Sequence, residues 1–308
     1  MRIATEHFLP INLCYINGGK GKGAAMGKIR EIDVSELIPL IRNACREMAM
    51  EYGCDIRDAI RQARETENER ARSILDLLLQ NAEIATSEQI PICQDTGMII
   101  AFASVGQDVH FTGGSFQQAL QEGVRQGYHD FALRASVVAD PLYDRINTKD
   151  NTPAVIHTEI TEGDKVQISL MAKGFGSENK SAVAMLTPAD GEKGVIRFVL
   201  DTVKKAGPNA CPPFIIGVGI GGTFEACALL SKKALLRPLQ EKNSDVRYAA
   251  LEDRLLQEVN ALGIGPQGLH GVTTALKVQI EQMPTHIAGM PCAVNICCHV
   301  CRHAKVVI

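Results

Sequence analysis

Apolar positions across residues 33–85 recur at helical spacing, with Leu37, Leu40, Ile41, Ala44 and Met48 forming one stripe and Ile74, Leu75, Leu78 and Leu79 another. The stretch is therefore predicted as helix. Asp33 or Ser35 can cap its start, Pro39 falls in the opening turn where a missing N–H costs little, and Gly53 is placed to end the first helix. Arg and Glu at i,i+3 and i,i+4 spacing over residues 55–81 mark a solvated helix face. Beyond Ile90 the texture changes to short β-rich runs at 98–105, 154–160, 165–171 and 213–218. Helical patterns alternate with them at 115–128, 190–205, 223–234 and 246–261. The order predicts an α/β (mixed α+β) fold, with an N-terminal helical lobe packed on a mixed-sheet body. No repeat of fixed period is visible.

Composition narrows the class. The chain has 308 residues, 45% apolar and 22% charged, which is ample for a buried core in one large domain or two modest ones, and no linker divides it. A net charge of -3 with both signs interspersed gives no basic stripe, so neither nucleic acid nor an anionic membrane is expected as a partner, and a small metabolite is. No apolar run approaches the roughly 18 to 20 residues of a membrane span. Residues 1–27 read as an N-terminal extension, coil-like around its Gly-Gly-Lys-Gly-Lys-Gly segment, with residues 28–308 as the domain and Met26 as the expected natural start. Ten cysteines without a secretory signal point to a reducing, cytoplasmic compartment where thiols persist. Cys14, Cys45, Cys54 and Cys227 sit in ordinary surroundings and read as small buried apolar residues.

Three other cysteine contexts are turn-rich and polar: Pro91-Ile92-Cys93-Gln94-Asp95-Thr96-Gly97, Asn209-Ala210-Cys211-Pro212-Pro213, and the run from Asn295 through Cys297, Cys298 and Cys301 to His303. None has zinc-ribbon spacing, and the lone C-x2-C of Cys298 and Cys301 is a weak signal. Spacing alone leaves metal or cluster binding open beside plain thiols. The Gly217-Val218-Gly219-Ile220-Gly221-Gly222 run invites a dinucleotide reading, but it lacks the full G-x-G-x-x-G, and Glu241 is not at a strand end as that motif requires. Packing at a helix start or a place near a cluster suits it better.

The wording of the motifs is more specific. Cys-Gln-Asp-Thr-Gly, Lys-Gly-Phe-Gly-Ser-Glu-Asn from Lys173, Asn-Ala-Cys-Pro-Pro, Gly-Val-Gly-Ile-Gly-Gly from Gly217 and Gly-Ile-Gly-Pro-Gln-Gly from Gly263 resemble, in that order, the α region of class I fumarases and L-tartrate dehydratases. The resemblance runs from about Asp33 to the C-terminus. It implies an iron-sulfur hydro-lyase whose 4Fe-4S cluster is held by three cysteines, here Cys93, Cys211 and Cys298, with Cys297 and Cys301 as neighbours that could replace the third. Thiolates suit such clusters, and three ligands leave one iron open to act as a Lewis acid.

The resemblance further implies Asp95 and His286 as catalytic residues, the latter by its spacing of twelve positions before Cys298. Gln94, Arg134, Gly174 and Gly176 are implied as substrate-binding, Arg134 because a guanidinium fork suits a carboxylate. On residue type alone, Asp95 is equally a turn residue, His286 and Arg134 equally solvated surface groups, and the glycines a tight turn. Phe175 stands where many relatives have a third glycine. The family's further cationic groups come from a β portion, and this chain stops at Ile308. The expectation is therefore the α subunit of a heteromer acting on a C4 dicarboxylate with a β subunit, and little activity alone. Fumarate hydration to (S)-malate, a tricarboxylic acid cycle step, is the leading expectation, and L(+)-tartrate dehydration to oxaloacetate the alternative. A non-catalytic iron-sulfur or thiol redox protein and a zinc-stabilised scaffold are the alternatives from other classes.

Overall fold

A computed structural model describes residues 29–308. The expectations for residues 1–27, for Met26 and for Cys14 lie outside the described residues. The chain opens with β1 (Arg30–Asp33), and the Asp33 side chain then accepts the Ser35 N–H at 2.8 Å and caps a short 3-10 turn. Three helices follow: α1 (Leu37–Met50), α2 (Cys54–Thr66) and α3 (Glu69–Glu88). Gly53 does not end the first helix, which stops at Met50; Gly53 instead precedes α2 as its N-cap. Asn68 caps α3 by accepting the Ala71 N–H at 3.0 Å.

The remaining elements are β2 (Met98–Gly106), β3 (Val109–Thr112), α4 (Phe116–Asp130), β4 (Val155–Thr161), β5 (Val166–Lys173), α5 (Phe175–Glu178), β6 (Ala182–Leu186), α6 (Gly191–Ala206), β7 (Phe214–Gly222), α7 (Phe224–Ala234), α8 (Val246–Asn260), β8 (Ala275–Thr285), β9 (Met290–Cys297) and β10 (Arg302–Val307). They build two four-stranded mixed sheets, ordered β10-β5-β2-β4 and β6-β9-β7-β8. The two sheets share one plan. A central strand, β2 or β7, has a parallel neighbour reached through helices, β4 or β8, and an antiparallel neighbour, β5 or β9. The outermost strands are exchanged: β6, which follows β5, pairs with β9, and β10, which follows β9, pairs with β5. A topological repeat is thus present where the sequence shows no fixed period, because the two halves carry different helices and different segment lengths.

Each sheet buries one face under its own helices. Ile99, Ala101 and Ala103 of β2 pack with Leu37, Ile41 and Leu120 of α1 and α4. In the second sheet, Ile216 and Val218 pack with Val199, Val203 and Leu255 of α6 and α8. The alternate positions of β7 are glycines, and α7 lies directly on them. A Cβ on Gly217 would stand 2.0 Å from the Ser231 carbonyl oxygen, and one on Gly219 would stand 2.0 Å from that of Cys227. The Gly-Val-Gly-Ile-Gly-Gly run is therefore a seat for a helix backbone. From that seat α7 reaches the first sheet, where Lys233 pairs with Glu159 at 3.0 Å and lies 5.8 Å from the Phe102 ring centroid. A third core, including Ile56, Ile60, Leu75, Met171 and Ile215, joins the α2–α3 lobe to one end of both sheets. No helix among the described residues is long and apolar enough to cross a membrane.

Candidate functional site

Strand register brings four loops to that same end. Met98 at the start of β2 pairs with Lys173 at the end of β5, Arg302 at the start of β10 pairs with Ala172, and Ile215 near the start of β7 pairs with Cys297 at the end of β9. The segments 93–97, 174–181, 207–213 and 298–301 therefore meet. Cys93 and Cys211 occupy corresponding positions in the two halves, each in the loop feeding a central strand. Cys298 lies where the chain crosses from β9 to β10, and its counterpart in the other half is the crossing that begins Gly174-Phe175-Gly176.

Cys211 lies within electrostatic reach of the other two thiols. Cys211, in a left-handed backbone conformation (φ 55°) ahead of Pro212, has its thiol pushed up first by burial and then by the charges of Cys298 and Cys93. Cys298 is raised by its hydrogen bond with Cys297 and by burial, while Arg302 and Lys173 pull the other way. Cys93 Sγ accepts the Asp95 N–H at 3.4 Å, and the His299 N–H donates to the Cys211 carbonyl at 3.4 Å, tying the second cysteine loop to the third. Cys297 and Cys301, each 3% exposed, point into the core under the lobe. Cys297 is pushed up to about 12 by Cys301 and burial, against the effect of its Cys298 hydrogen bond. Among the described residues, no three His, Cys, Asp or Glu side chains gather closely enough to hold a single metal ion.

Beside Cys93 opens a cavity of about 660 Å³, lined by Gln94, Asp95, Arg134 and Phe175 among the expected residues and by Ser136, Arg145 and Asn179 as well. Both Asp95 oxygens are engaged: Oδ1 accepts the Gly97 N–H at 3.0 Å and Oδ2 the Phe175 N–H at 2.9 Å. The carboxylate is thereby held in one orientation at the cavity wall. Gly97 is required to be glycine, since its φ is +84° and a Cβ would lie 2.8 Å from the Ala172 carbonyl carbon. Thr96 Oγ1 donates to the Arg134 carbonyl at 3.0 Å, which fixes the backbone that presents the Arg134 guanidinium. Gly174 meets the Asp95 carboxylate and Arg302, whereas Gly176 has open space around it.

His286 is not brought to this cavity. It follows β8, which runs parallel to β7 with Thr285 beside Gly222, so it sits at the end of the sheet opposite Cys211 and Cys298. At ~3.3 Å per residue, the 8 residues of β9 alone put roughly 25 Å between that hairpin and Cys298. Spacing in sequence misplaces it because an antiparallel strand carries the chain away along its length.

Residues without an expected role support the site. Lys173 is fully buried, and its Nζ donates to the Ile296 carbonyl at 2.8 Å and to Ser177 Oγ at 2.9 Å, with Glu178 at 3.2 Å. Burial opposes ionisation of Glu178, yet Lys173 and Lys232 hold its carboxyl below the usual range. Arg302 Nη1 donates to the Asp95 carbonyl at 2.8 Å, joining the third cysteine segment to the first. Lys173 and Glu178 flank the quoted Gly-Phe-Gly motif, but nothing local in the sequence marks them as a buried pair.

The fumarate hydratase (Fumerase) family profile matches residues 38–307. The chain is 39% identical over 266 residues to a Methanocaldococcus jannaschii protein provisionally named L(+)-tartrate dehydratase subunit alpha, covering 84% of this chain and 93% of the relative. It is 31% identical over 280 residues to L(+)-tartrate dehydratase subunit alpha of Escherichia coli K12, covering 89% and 91%. A third relative of that name, from Escherichia coli UTI89, is 32% identical over 270 residues, covering 86% and 88%. With the four loops drawn together and the profile spanning nearly all of the described chain, the protein belongs to the fumarate hydratase (Fumerase) family of hydro-lyases.

Proposed function

We propose that this chain is the α subunit of a 4Fe-4S hydro-lyase that interconverts fumarate and (S)-malate in the cytoplasm, working with a β subunit. The observation that carries the reading is the convergence of the loops bearing Cys93, Cys211 and Cys298 at the end of the sheets where the cavity with Gln94, Asp95 and Arg134 opens. The donor set fits a cluster: the loops that meet at this end of the sheets bring three free thiols, and thiolates suit iron-sulfur clusters. Lys173 and Arg302 add compensating positive charge. When bound, such a cluster supplies one iron with an open coordination position as a Lewis acid for a substrate oxygen.

The chain's own groups do the rest. Arg134 takes one carboxylate with its guanidinium fork. Gln94 offers both a donor and an acceptor to orient a carboxylate or water. Asp95, locked by the Gly97 and Phe175 N–H groups, belongs to the acid/base network through which a proton leaves or returns. Gly174 lets the backbone approach, Phe175 lines the cavity wall, and Gly176 keeps the turn behind it open. His286 enters this reading only as a residue offered to a neighbouring chain. The free cysteines among the described residues suit a reducing compartment.

L(+)-tartrate dehydration is a second reading, favoured by the names of the relatives. A thiol redox role is disfavoured because Cys297 and Cys301 are buried, whereas redox thiols need exposure. The test is anaerobic co-expression with a candidate β chain, followed by assays of fumarate hydration and L(+)-tartrate dehydration. Fumarate turnover that decays in air supports the first reading, tartrate turnover the second, and neither activity in an intact complex sinks both.

A further inference from the structure

The segment between α4 and β4 has a role that none of the quoted motifs covers. It forms a small hairpin: the Ala139 N–H donates to the Ile146 carbonyl at 2.8 Å, the Thr148 N–H to the Val137 carbonyl at 2.9 Å, and Val138 bridges to Asn147. Asp140 Oδ1 accepts the Leu142 N–H at 2.9 Å and tightens the turn. Asn151, fully buried, roots the hairpin by accepting the Ser136 N–H at 2.9 Å and donating to the Gly97 carbonyl at 3.1 Å. Asn147 Nδ2 adds a bond to the Ala135 carbonyl at 3.0 Å. The arm is therefore fastened to the loop that carries Cys93 and Asp95.

Arg145 sits near its tip in the left-handed region (φ 47°), a conformation that costs a non-glycine residue and is kept where the surroundings fix it. Arg134 and Arg145 line the same cavity, in which Asp95 is the lone lining carboxylate, with both its oxygens already taken by backbone N–H groups. Other arginines of this part of the chain are paired with carboxylates, Arg42 with Asp130 and Arg125 with Asp150. Neither Arg134 nor Arg145 makes a salt bridge among the described residues, and Arg145 donates only to the Pro141 carbonyl. Two unneutralised guanidinium groups facing one cavity form a receptor for a dianion, each fork matching one carboxylate.

We propose that Arg145 binds the second carboxylate of the substrate, so that the hairpin arm and Arg134 grip the two ends of a C4 dicarboxylate. The inference rests on the hydro-lyase reading for its substrate and on the cavity for its geometry. Its test is calorimetric binding of succinate, an unreactive C4 dicarboxylate, to the anaerobically purified α/β complex in wild type, Arg145→Gln and Arg145→Lys, alongside KM for fumarate and for its monomethyl ester. Arg145→Gln should weaken succinate binding and raise the fumarate KM by about tenfold or more, as the loss of a charge-assisted contact implies, with Arg145→Lys between. The ester, which lacks one carboxylate, should be far less sensitive. A purely structural arm would lower stability and affect ester and diacid alike. Unchanged succinate affinity in Arg145→Gln, equal loss for both substrates, or no succinate binding by the wild type overturns the proposal. Wild-type succinate binding that depends on Arg145, without hydro-lyase turnover, would sink the activity while sustaining the arm.

Discussion

At the residue scale, a buried pair braces the third cysteine segment against the helical lobe. The Tyr52 hydroxyl lies 2.6 Å from His299 Nδ1, and both residues are buried. Burial, then the nearby Arg302 charge, push His299 down to about 4, so the ring is neutral near pH 7 and the hydroxyl serves as the donor. Tyr52→Phe leaves Nδ1 without its partner and should cost about 1–3 kcal/mol in chemical denaturation, the usual penalty for orphaning a buried acceptor. Loss well below that range would show that water replaces the hydroxyl. The motif wording singles out Cys93, Gln94 and Asp95 in the sequence, and the structure puts Gln94 and Asp95 on one cavity with Arg134. The burial of Lys173 and the roles of Arg145 and Arg302 are not legible in the sequence, because each involves a segment far off along the chain: Ile296 for Lys173, Asp95 for Arg302 and, for Arg145, a cavity walled by distant segments. Cys298 is chosen over Cys297 and Cys301 from the motif alone, and the burial of the latter two at the strand end is not visible in the sequence.

At the element scale, the glycine run of β7 and the arm before β4 make separate demands. Gly219→Ala puts a methyl carbon against a helix backbone that cannot move without unseating α7. It should destabilise the protein by about 3 kcal/mol or more, at the upper end of overpacking costs, as read from the shift in denaturation midpoint. A near-neutral result would mean that α7 does not lie on that strand. Asp150, at the foot of the arm, feels burial most strongly, which alone would raise its pKa. The Thr152 N–H and hydroxyl and the Arg125 guanidinium outweigh burial and hold it down to about 2. A folded pKa below the unfolded value of about 3.9 means that the unfolded chain binds more protons in between. Its stabilisation is therefore complete above about pH 4 and is lost as pH falls toward 2. Asp150→Asn should flatten that limb of a stability-against-pH curve, and an unchanged limb would contradict the assignment. The helices of the lobe and strands β2, β4, β5 and β7 are readable from period and flanking turns. Strands β1, β3, β6, β8, β9 and β10 are not, β9 because its nearly continuous buried run lacks the alternation that marks a half-buried strand.

At the scale of the whole molecule, the fold class is legible in the sequence and the assembly of its halves is not. Local periodicity specifies helices and strands, but the exchange of β6 and β10 between sheets is a nonlocal pairing that no segment announces. That exchange is what makes the site. Two similar halves trade their outer strands at one end, and the crossings deliver Cys298 from one half and Gly174 from the other to the loops that carry Cys93 and Cys211. The reach of His286 fails for the same reason, since the hairpin that bears it closes the opposite end of the second sheet. The central claim is therefore that three specific thiols, and not their buried neighbours, hold a cluster at this junction. The most direct measurement is iron and acid-labile sulfide per chain in anaerobically purified complexes of wild type, Cys297→Ser and Cys298→Ser. The account predicts about four irons in wild type and Cys297→Ser, as the cluster type requires, and their loss in Cys298→Ser. Iron retained in Cys298→Ser, lost only in Cys297→Ser, or absent from the wild type would contradict it.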